Sequence, residues 1–381
     1  MASALNQFEL GRLQTFLQRW RTWIGVLRQK HPNAAVFVES TIGAREMGWP
    51  GFGQAFLAAL GLLLLGIALL NFFVNPMGIY PTRLIPTATW NTRDMKAELL
   101  DHASPKPEAL ILGSSTAMKL APAEVERLTG LPTFNAAVAG GLAEDYYYML
   151  RYSVERAHAD LKLVIIGVDV EAFHNHLPMD ETLLESESLR YLFPRNELLL
   201  EWKRVYKLFT LQQLRLSVRS LRLRTLVKTH LEPDGYLRYD IHEKERAGGH
   251  YDLDSKVEEK AGEYLDRYSG YTGISAERQK YLEDTLRYCH ERGIKAVLFV
   301  TPLHPRVVAA INSKGYGDRK KEVLAMLGRV SKEWNVPVYD FSSIENFGGN
   351  PTWFYDGVHT DERNSDLMTV QLLKPGSIAL Q

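Results

Sequence analysis

The hydrophobic pattern along the chain changes character early. Residues 47–82 contain no Asp, Glu, Lys or Arg, and 55–74 read AFLAALGLLLLGIALLNFFV. Twenty residues at about 1.5 Å each make a helix of roughly 30 Å, the thickness of a bilayer's hydrocarbon core. The pattern therefore predicts a transmembrane helix over 55–74. Gly61 and Gly66 are tolerated inside it, and Trp49 and Tyr80 stand where interfacial aromatics belong. A cleaved signal peptide fits poorly, because the run is long, lies far from the N-terminus and has no small-residue cleavage site after it. Before it, Leu10, Leu13, Leu17, Trp20, Ile24 and Leu27 recur at helical spacing, with Arg12, Arg19 and Arg21 between them. Residues 1–54 read as a basic amphipathic tail, lying on the membrane surface, against a partner or against the protein's own body.

A connector over 75–106, with Pro76, Pro81, Pro86 and Pro105 and room for one short helix, leads into a different pattern. Short apolar runs at 109–112 (ALIL), 133–136, 163–167 (LVIIG), 296–301 (AVLFVT) and 336–341 predict strands. Between and beyond them, 122–128, 142–158, 277–292 and 318–334 predict helices. Continuous apolar strands separated by helices specify a parallel sheet covered on both faces. The expected fold class is α/β: a three-layer, flavodoxin-like domain over 107–381, preceded by one transmembrane helix. In such sheets chemistry gathers at the carboxyl ends of the strands, which points to the loops after Gly113, Gly167 and Thr301. An insertion at about 175–276 interrupts the alternation. It begins acidic (Asp180, Glu181, Glu185, Glu187) and turns basic and leucine-rich from 197 to 229. Helices are expected there, as a lid, a face toward membrane or partner, or a solvated elaboration, with the sheet core independent of them.

Charge and composition narrow the function. Lys plus Arg number 45 and Asp plus Glu 45, which excludes the broad basic footprint of a nucleic-acid binder. In the tail, Arg12, Arg19, Arg21, Arg28, Lys30 and Arg45 outnumber Glu9, Glu39 and Glu46, so the N-terminus is expected inside and the main domain outside the cytoplasmic membrane. Cys289 stands alone and permits no intrachain disulfide. His174-Asn175-His176 has no acidic or cysteine partner at ligand spacing, so no metal is expected. Gly140-Gly141 is not a dinucleotide fingerprint, and no cofactor is implied.

Ser115 follows a buried apolar run and opens a helical stretch, a place where serine is often only a helix cap. Far downstream, Asp356-Gly357-Val358-His359 forms a DxxH just before the terminal helix. A serine nucleophile needs a base within hydrogen-bond reach, and the base needs an orienting acceptor. An Asp three residues before a His supplies both. A developing oxyanion needs preorganised donors, and the loop 135–141 offers Gly140. His304, in TPLHP, either lines the pocket or bonds to backbone.

These blocks resemble the SGNH hydrolase/acyltransferase superfamily. Gly113-Ser114-Ser115 is similar to its first block, with serine replacing the usual aspartate as in DltD-like membrane-anchored members. Residues 135–141 resemble the second block and place Gly140 on the oxyanion-hole glycine. Asp356 and His359 match the fifth block's catalytic pair. The third block, usually Gly-x-Asn-Asp, reads Gly167-Val168-Asp169-Val170. Asp169 either turns away, or binds a substrate hydroxyl, or weakens catalysis. The resemblance implies Ser115, His359 and Asp356 as catalytic residues, with Gly140, Asp169, Ser114 and His304 around the oxyanion and substrate. It further implies a bacterial, extracytoplasmic O-acyltransferase or esterase acting on acyl esters of cell-envelope glycans. Its partners would be a multi-pass membrane acyl-donor protein, a glycan acceptor and membrane lipid. The alternatives are a catalytically degenerate scaffold or assembly subunit of a membrane complex, and a tethered esterase for soluble substrates.

Overall fold

The computed structural model describes residues 49–80, 82, 84–85, 91–192, 197–222 and 230–374. The amphipathic tail expected over 1–54 lies almost wholly outside the described residues. Helix α1 (Trp49–Val74) begins earlier than the expected 55–74. Pro50 falls in its first turn, where a missing N–H leaves no bond unmade. Over Phe52–Val74 it is long and apolar enough to cross a membrane, and little of it is buried. Leu57 and Leu62 are 66% and 70% exposed. A unit boundary falls at Leu70, so the last turn of α1 belongs with the α/β body.

The connector contains α2 (Thr92–His102), capped by the Asn91 side chain, which accepts from Arg93 N–H. The alternating part then runs β1 (Ala109–Leu112), α3 (Pro122–Thr129), β2 (Thr133–Asn135), α4 (Ala143–Glu155) and β3 (Leu163–Val168). After the insertion come α10 (Ala276–Glu291), β6 (Lys295–Val300), α11 (Pro305–Ile311), α12 (Tyr316–Trp334), β7 (Val338–Asp340) and α13 (Glu362–Leu372). The strands form one parallel sheet in the order β2-β1-β3-β6-β7. Strand order reverses between β1 and β3, which opens a crevice beyond their carboxyl ends.

The sheet is double-faced because successive residues of each strand point to opposite sides. Leu110, Leu112, Val164, Ile166, Leu298 and Val300 pack with Met149 and Leu150 of α4, Leu286 of α10 and Leu327 of α12. Their neighbours Ala109, Ile111, Leu163, Ile165, Val297 and Phe299 pack with Val125 of α3 and with Met368 and Leu372 of α13. This two-sided burial explains why the strands read as continuous apolar runs. Each fully buried Leu or Ile removes enough apolar surface from water to contribute about 2 kcal/mol.

The insertion corrects one expectation. It holds helices α5 (Glu181–Leu184), α6 (Glu197–Lys207), α7 (Leu211–Arg222), α8 (Asp240–Ala247) and α9 (Leu253–Tyr268). It also holds an antiparallel pair, β4 (His230–Leu231) with β5 (Leu237–Arg238). Nor does the sheet stand free of it. The Asp234 carbonyl accepts from Asn135 N–H at 2.8 Å, continuing the edge of β2. The fully buried Lys96 ammonium donates to both Asn135 O and Gly235 O. Burial pushes that ammonium down to about 7, against the pull of Asp234. Leu237 completes the second core cluster. The turn at 234–235 is thus part of the sheet's edge.

Candidate active site

Ser115 stands two residues beyond Gly113, just past the end of β1. Gly113 has φ +147°, and a Cβ there would lie 2.5 Å from Ala117 Cβ and 2.8 Å from Gly167 O. Only glycine lets the chain turn so closely over β3, and that turn lifts Ser115 to the carboxyl edge. Ser115 Oγ meets His359 Nε2 at 2.9 Å, although the two residues are 244 apart in sequence. His359 Nδ1 meets Asp356 Oδ2 at 2.8 Å. A carboxylate at Nδ1 fixes the N–H there and leaves Nε2 as acceptor for the serine hydroxyl.

Local bonds hold the DxxH loop. Asp356 Oδ1 accepts from the backbone N–H groups of Val358 and His359 at 2.7 and 2.8 Å. Phe354 and Thr360 form an antiparallel bridge across the loop. A Cβ on Gly357 would meet Val307 Cγ2 at 2.3 Å, so the residue between the acid and the base has to be small. Burial alone would raise the Asp356 carboxyl. The His359 ring and the two N–H groups outweigh burial and hold it at about 2. A depressed carboxyl contributes stability that is whole above its ordinary value of 3.8 and disappears as the pH falls through the folded value. A shift of this size corresponds to something on the order of 2 kcal/mol. The stability difference between wild type and Asp356→Asn, measured by denaturant unfolding, should therefore narrow from about pH 4 to about pH 2. A difference that stays constant over that range would show that the folded carboxyl is not depressed.

The other expected residues are placed differently. Gly140 takes a left-handed conformation at φ +64°. Among the described residues, neither its backbone N–H nor that of Ser115 donates to a backbone acceptor. Ser114 is buried, and its hydroxyl bonds Thr116 Oγ1 and accepts from Thr116 N–H. His304 is also buried. It caps α11, its Nδ1 accepting from Arg306 N–H, and its ring stands edge-on to Phe354. Burial, and next Arg306, push this imidazole's pKa down. Asp169, expected to turn away, to bind substrate or to weaken catalysis, has Oδ1 engaged by the hydroxyls of Thr116 and Thr301. That oxygen ties the ends of β1, β3 and β6 together.

Sequence reasoning missed the base of the site. The Tyr239 ring lies edge-on to His359 with centroids 5.7 Å apart. Beneath it the Lys119 ammonium sits among the rings of Tyr236, Tyr239 and Tyr355, at 4.6, 5.0 and 4.8 Å. Burial lowers that ammonium to about 8, with Glu362 opposing. Nothing in the pattern of 230–251 marks Tyr239, since Lys119, Tyr355 and His359, which it meets at the site, lie more than a hundred residues away. Thr116 and Thr301 carried a weak signal, as hydroxyls at the ends of buried apolar runs.

No family model matches the chain, and no curated protein matches it. Among solved structures, a Bacteroides fragilis protein assigned as an acylhydrolase is 12% identical, with a TM-score of 0.34, over 75% of this chain and 97% of its own. A GDSL-like lipase from Bacteroides thetaiotaomicron is 11% identical, with a TM-score of 0.35, over 75% of this chain and 98% of its own. Likeness at that level assigns no chemistry, which rests on the residues themselves.

Proposed function

We propose that this chain is a membrane-anchored, extracytoplasmic serine O-acyltransferase or esterase of the SGNH kind. What carries the reading is the hydrogen-bonded chain from Ser115 through His359 to Asp356, at 2.9 and 2.8 Å. Ser115 Oγ attacks the acyl carbonyl carbon as its proton passes to His359 Nε2. Asp356 holds the ring's orientation and stabilises the imidazolium. The backbone N–H groups of Ser115 and Gly140 receive the oxyanion. His359 returns the proton to the leaving oxygen, and an acyl-serine ester remains. An acceptor hydroxyl then gives its proton to Nε2, attacks the ester and regenerates Ser115. With a saccharide hydroxyl as acceptor the outcome is acyl transfer, and with water it is hydrolysis.

The family resemblance supports a cell-envelope glycan as acceptor and a multi-pass membrane protein as acyl donor. A fluorophosphonate probe, which esterifies an activated serine, should label Ser115 in the full chain, and Ser115→Ala or His359→Ala should remove the label. An intact, folded protein that takes no label would favour the scaffold reading instead.

The anchor is tested separately. With Cys289 changed to serine, cysteines at Ser3 and at Lys321 should differ in reactivity toward an impermeant thiol reagent, with Lys321→Cys labelled from outside. Labelling of both from the same side would rule out a single span.

A further inference from the structure

Helices α6 and α7 are turned inside out for a water-soluble protein. In α6, Leu198, Trp202, Val205 and Tyr206 share one stripe and are 85%, 68%, 48% and 63% exposed. Phe209 continues the stripe just past the helix end and is also exposed. Glu201, at the edge of the stripe, is itself 60% exposed, while the basic residues Arg204 and Lys207 face the other way. Arg204 pairs with Glu187 at 2.8 Å, and Lys207 with Glu185 and Glu181 at 2.6 and 3.1 Å, all toward the body of the domain. In α7 the buried face is polar, formed by Gln213, Ser217 and Ser220, while Leu211 and Val218 are exposed. Arg215, Arg219 and Arg222 share that outer face at helical spacing and are exposed as well.

The pair is fastened to the last turn of α1. Asn71, fully buried near the end of the helix, donates to Leu208 O at 2.8 Å, and its Oδ1 accepts from Ser217 Oγ at 2.7 Å. Tyr80, just beyond the helix, donates to Arg204 O at 2.8 Å. A polar side chain inside a membrane helix must find protein partners, because lipid offers none. Here the α6–α7 pair supplies them.

From this arrangement we infer that α6 and α7 lie in the bilayer interface beside the exit of α1, with the apolar stripe of α6 among acyl chains and the arginines of α7 among lipid phosphates. The inference rests on the membrane anchorage proposed above. Three features select lipid over a protein partner. The surface is continuous with the end of the apolar helix, α6 turns its large apolar side chains outward while α7 buries Gln213, Ser217 and Ser220, and the stripe's Trp and Tyr stand beside the outward arginines of α7, the composition of an interfacial helix.

The test uses the full chain in the Cys289→Ser background, reconstituted alone into phosphatidylethanolamine and phosphatidylglycerol vesicles. An environment-sensitive fluorophore is attached at Leu62→Cys, Trp202→Cys or Lys321→Cys, and some lipids carry a nitroxide, near the headgroup end of an acyl chain for the Trp202 and Lys321 labels and near its terminal methyl for the Leu62 label. The Trp202 label should be blue-shifted and lose much of its emission to the nitroxide, while the Lys321 label should lose none. If the Leu62 label is quenched and the Trp202 label behaves like Lys321, the anchor stands and this inference falls. A Trp202 label that is blue-shifted but unquenched would mean a protein surface covers the stripe, which also overturns it. An unquenched Leu62 label would refute the anchor, and quenching at Trp202 would then still decide the placement of the pair.

Discussion

Ser115→Ala and His359→Ala should each lower acyl transfer or ester hydrolysis by about 10⁴-fold or more, and combining them should cost little beyond either alone. The reason is the unbroken chain of contacts from Ser115 Oγ to His359 Nε2 and from Nδ1 to Asp356. Without its base the hydroxyl is a poor nucleophile, and without the hydroxyl the base has nothing to activate. Asp356→Asn should cost less, since the imidazole remains but loses the acceptor that selects its tautomer. None of the three should disturb the sheet, whose two cores are built from other residues. The measurement is single-turnover acyl release from a chromogenic ester, alongside circular dichroism of each variant. Near-wild-type rates in folded Ser115→Ala protein would defeat the assignment of the nucleophile, and losses that simply multiply in the double variant would defeat the triad as a unit.

Gly235→Ala should be among the most destabilising single-methyl changes in the chain. Gly235 has φ +81°, a conformation that costs a residue with a Cβ about 1–2 kcal/mol. The added Cβ would also lie 2.2 Å from Asn135 O, a backbone atom of the sheet edge that cannot step aside cheaply. Relief requires the 234–235 turn to back away. That movement breaks the Asp234–Asn135 bond and strips the buried Lys96 ammonium of an acceptor. Losing buried partners adds about 1–3 kcal/mol for each group left unsatisfied. A total of about 3–5 kcal/mol should lower the melting temperature by roughly 10 °C. Gly249→Ala is the control: it also has positive φ, at +70°, but nothing lies within 4 Å of its added Cβ. It should show the conformational part alone. Equal losses in the two variants would mean that the insertion's turn is not part of the sheet's structure.

How much of this could be read in advance divides along physical lines. The strands β1 (Ala109–Leu112) and β3 were legible because burial on both faces leaves them apolar at every position, as ALIL and LVIIGV, whereas the edge strand β2 buries Thr133 and Asn135. The apolar helix was legible because its length and its lack of charged residues are written in consecutive positions. Its start moved to Trp49 because a prolyl residue in the first turn prolongs a helix as readily as it precedes one. The strand ends shifted by a residue or two, as at 133–136, where Ala136 N–H still bonds Ile111 O but regular pairing stops at Asn135.

The site was legible only in its local parts. Asp356 and His359 lie within one turn, so their spacing encodes their contact. Ser115 was marked by its place after a buried strand. Their meeting across 244 residues is a property of the sheet order, which brings the loop after β1 and the loop before α13 to one edge. Asp169 shows the limit most clearly. Its position in the third block was visible, but the two threonine hydroxyls that engage it come from the ends of β1 and β6. Tyr239, Lys119 and the turn at Gly235 were invisible for the same reason. The sequence by itself determined which segments are buried on both faces, which helix is apolar enough to enter a membrane, and which short motifs carry reactive groups, because each of these is a demand that local surroundings place on neighbouring residues. Only the tertiary structure decided which distant loops meet, which polar groups face inward, and how far the insertion belongs to the core, because those depend on crossover connections whose partners lie far apart along the chain.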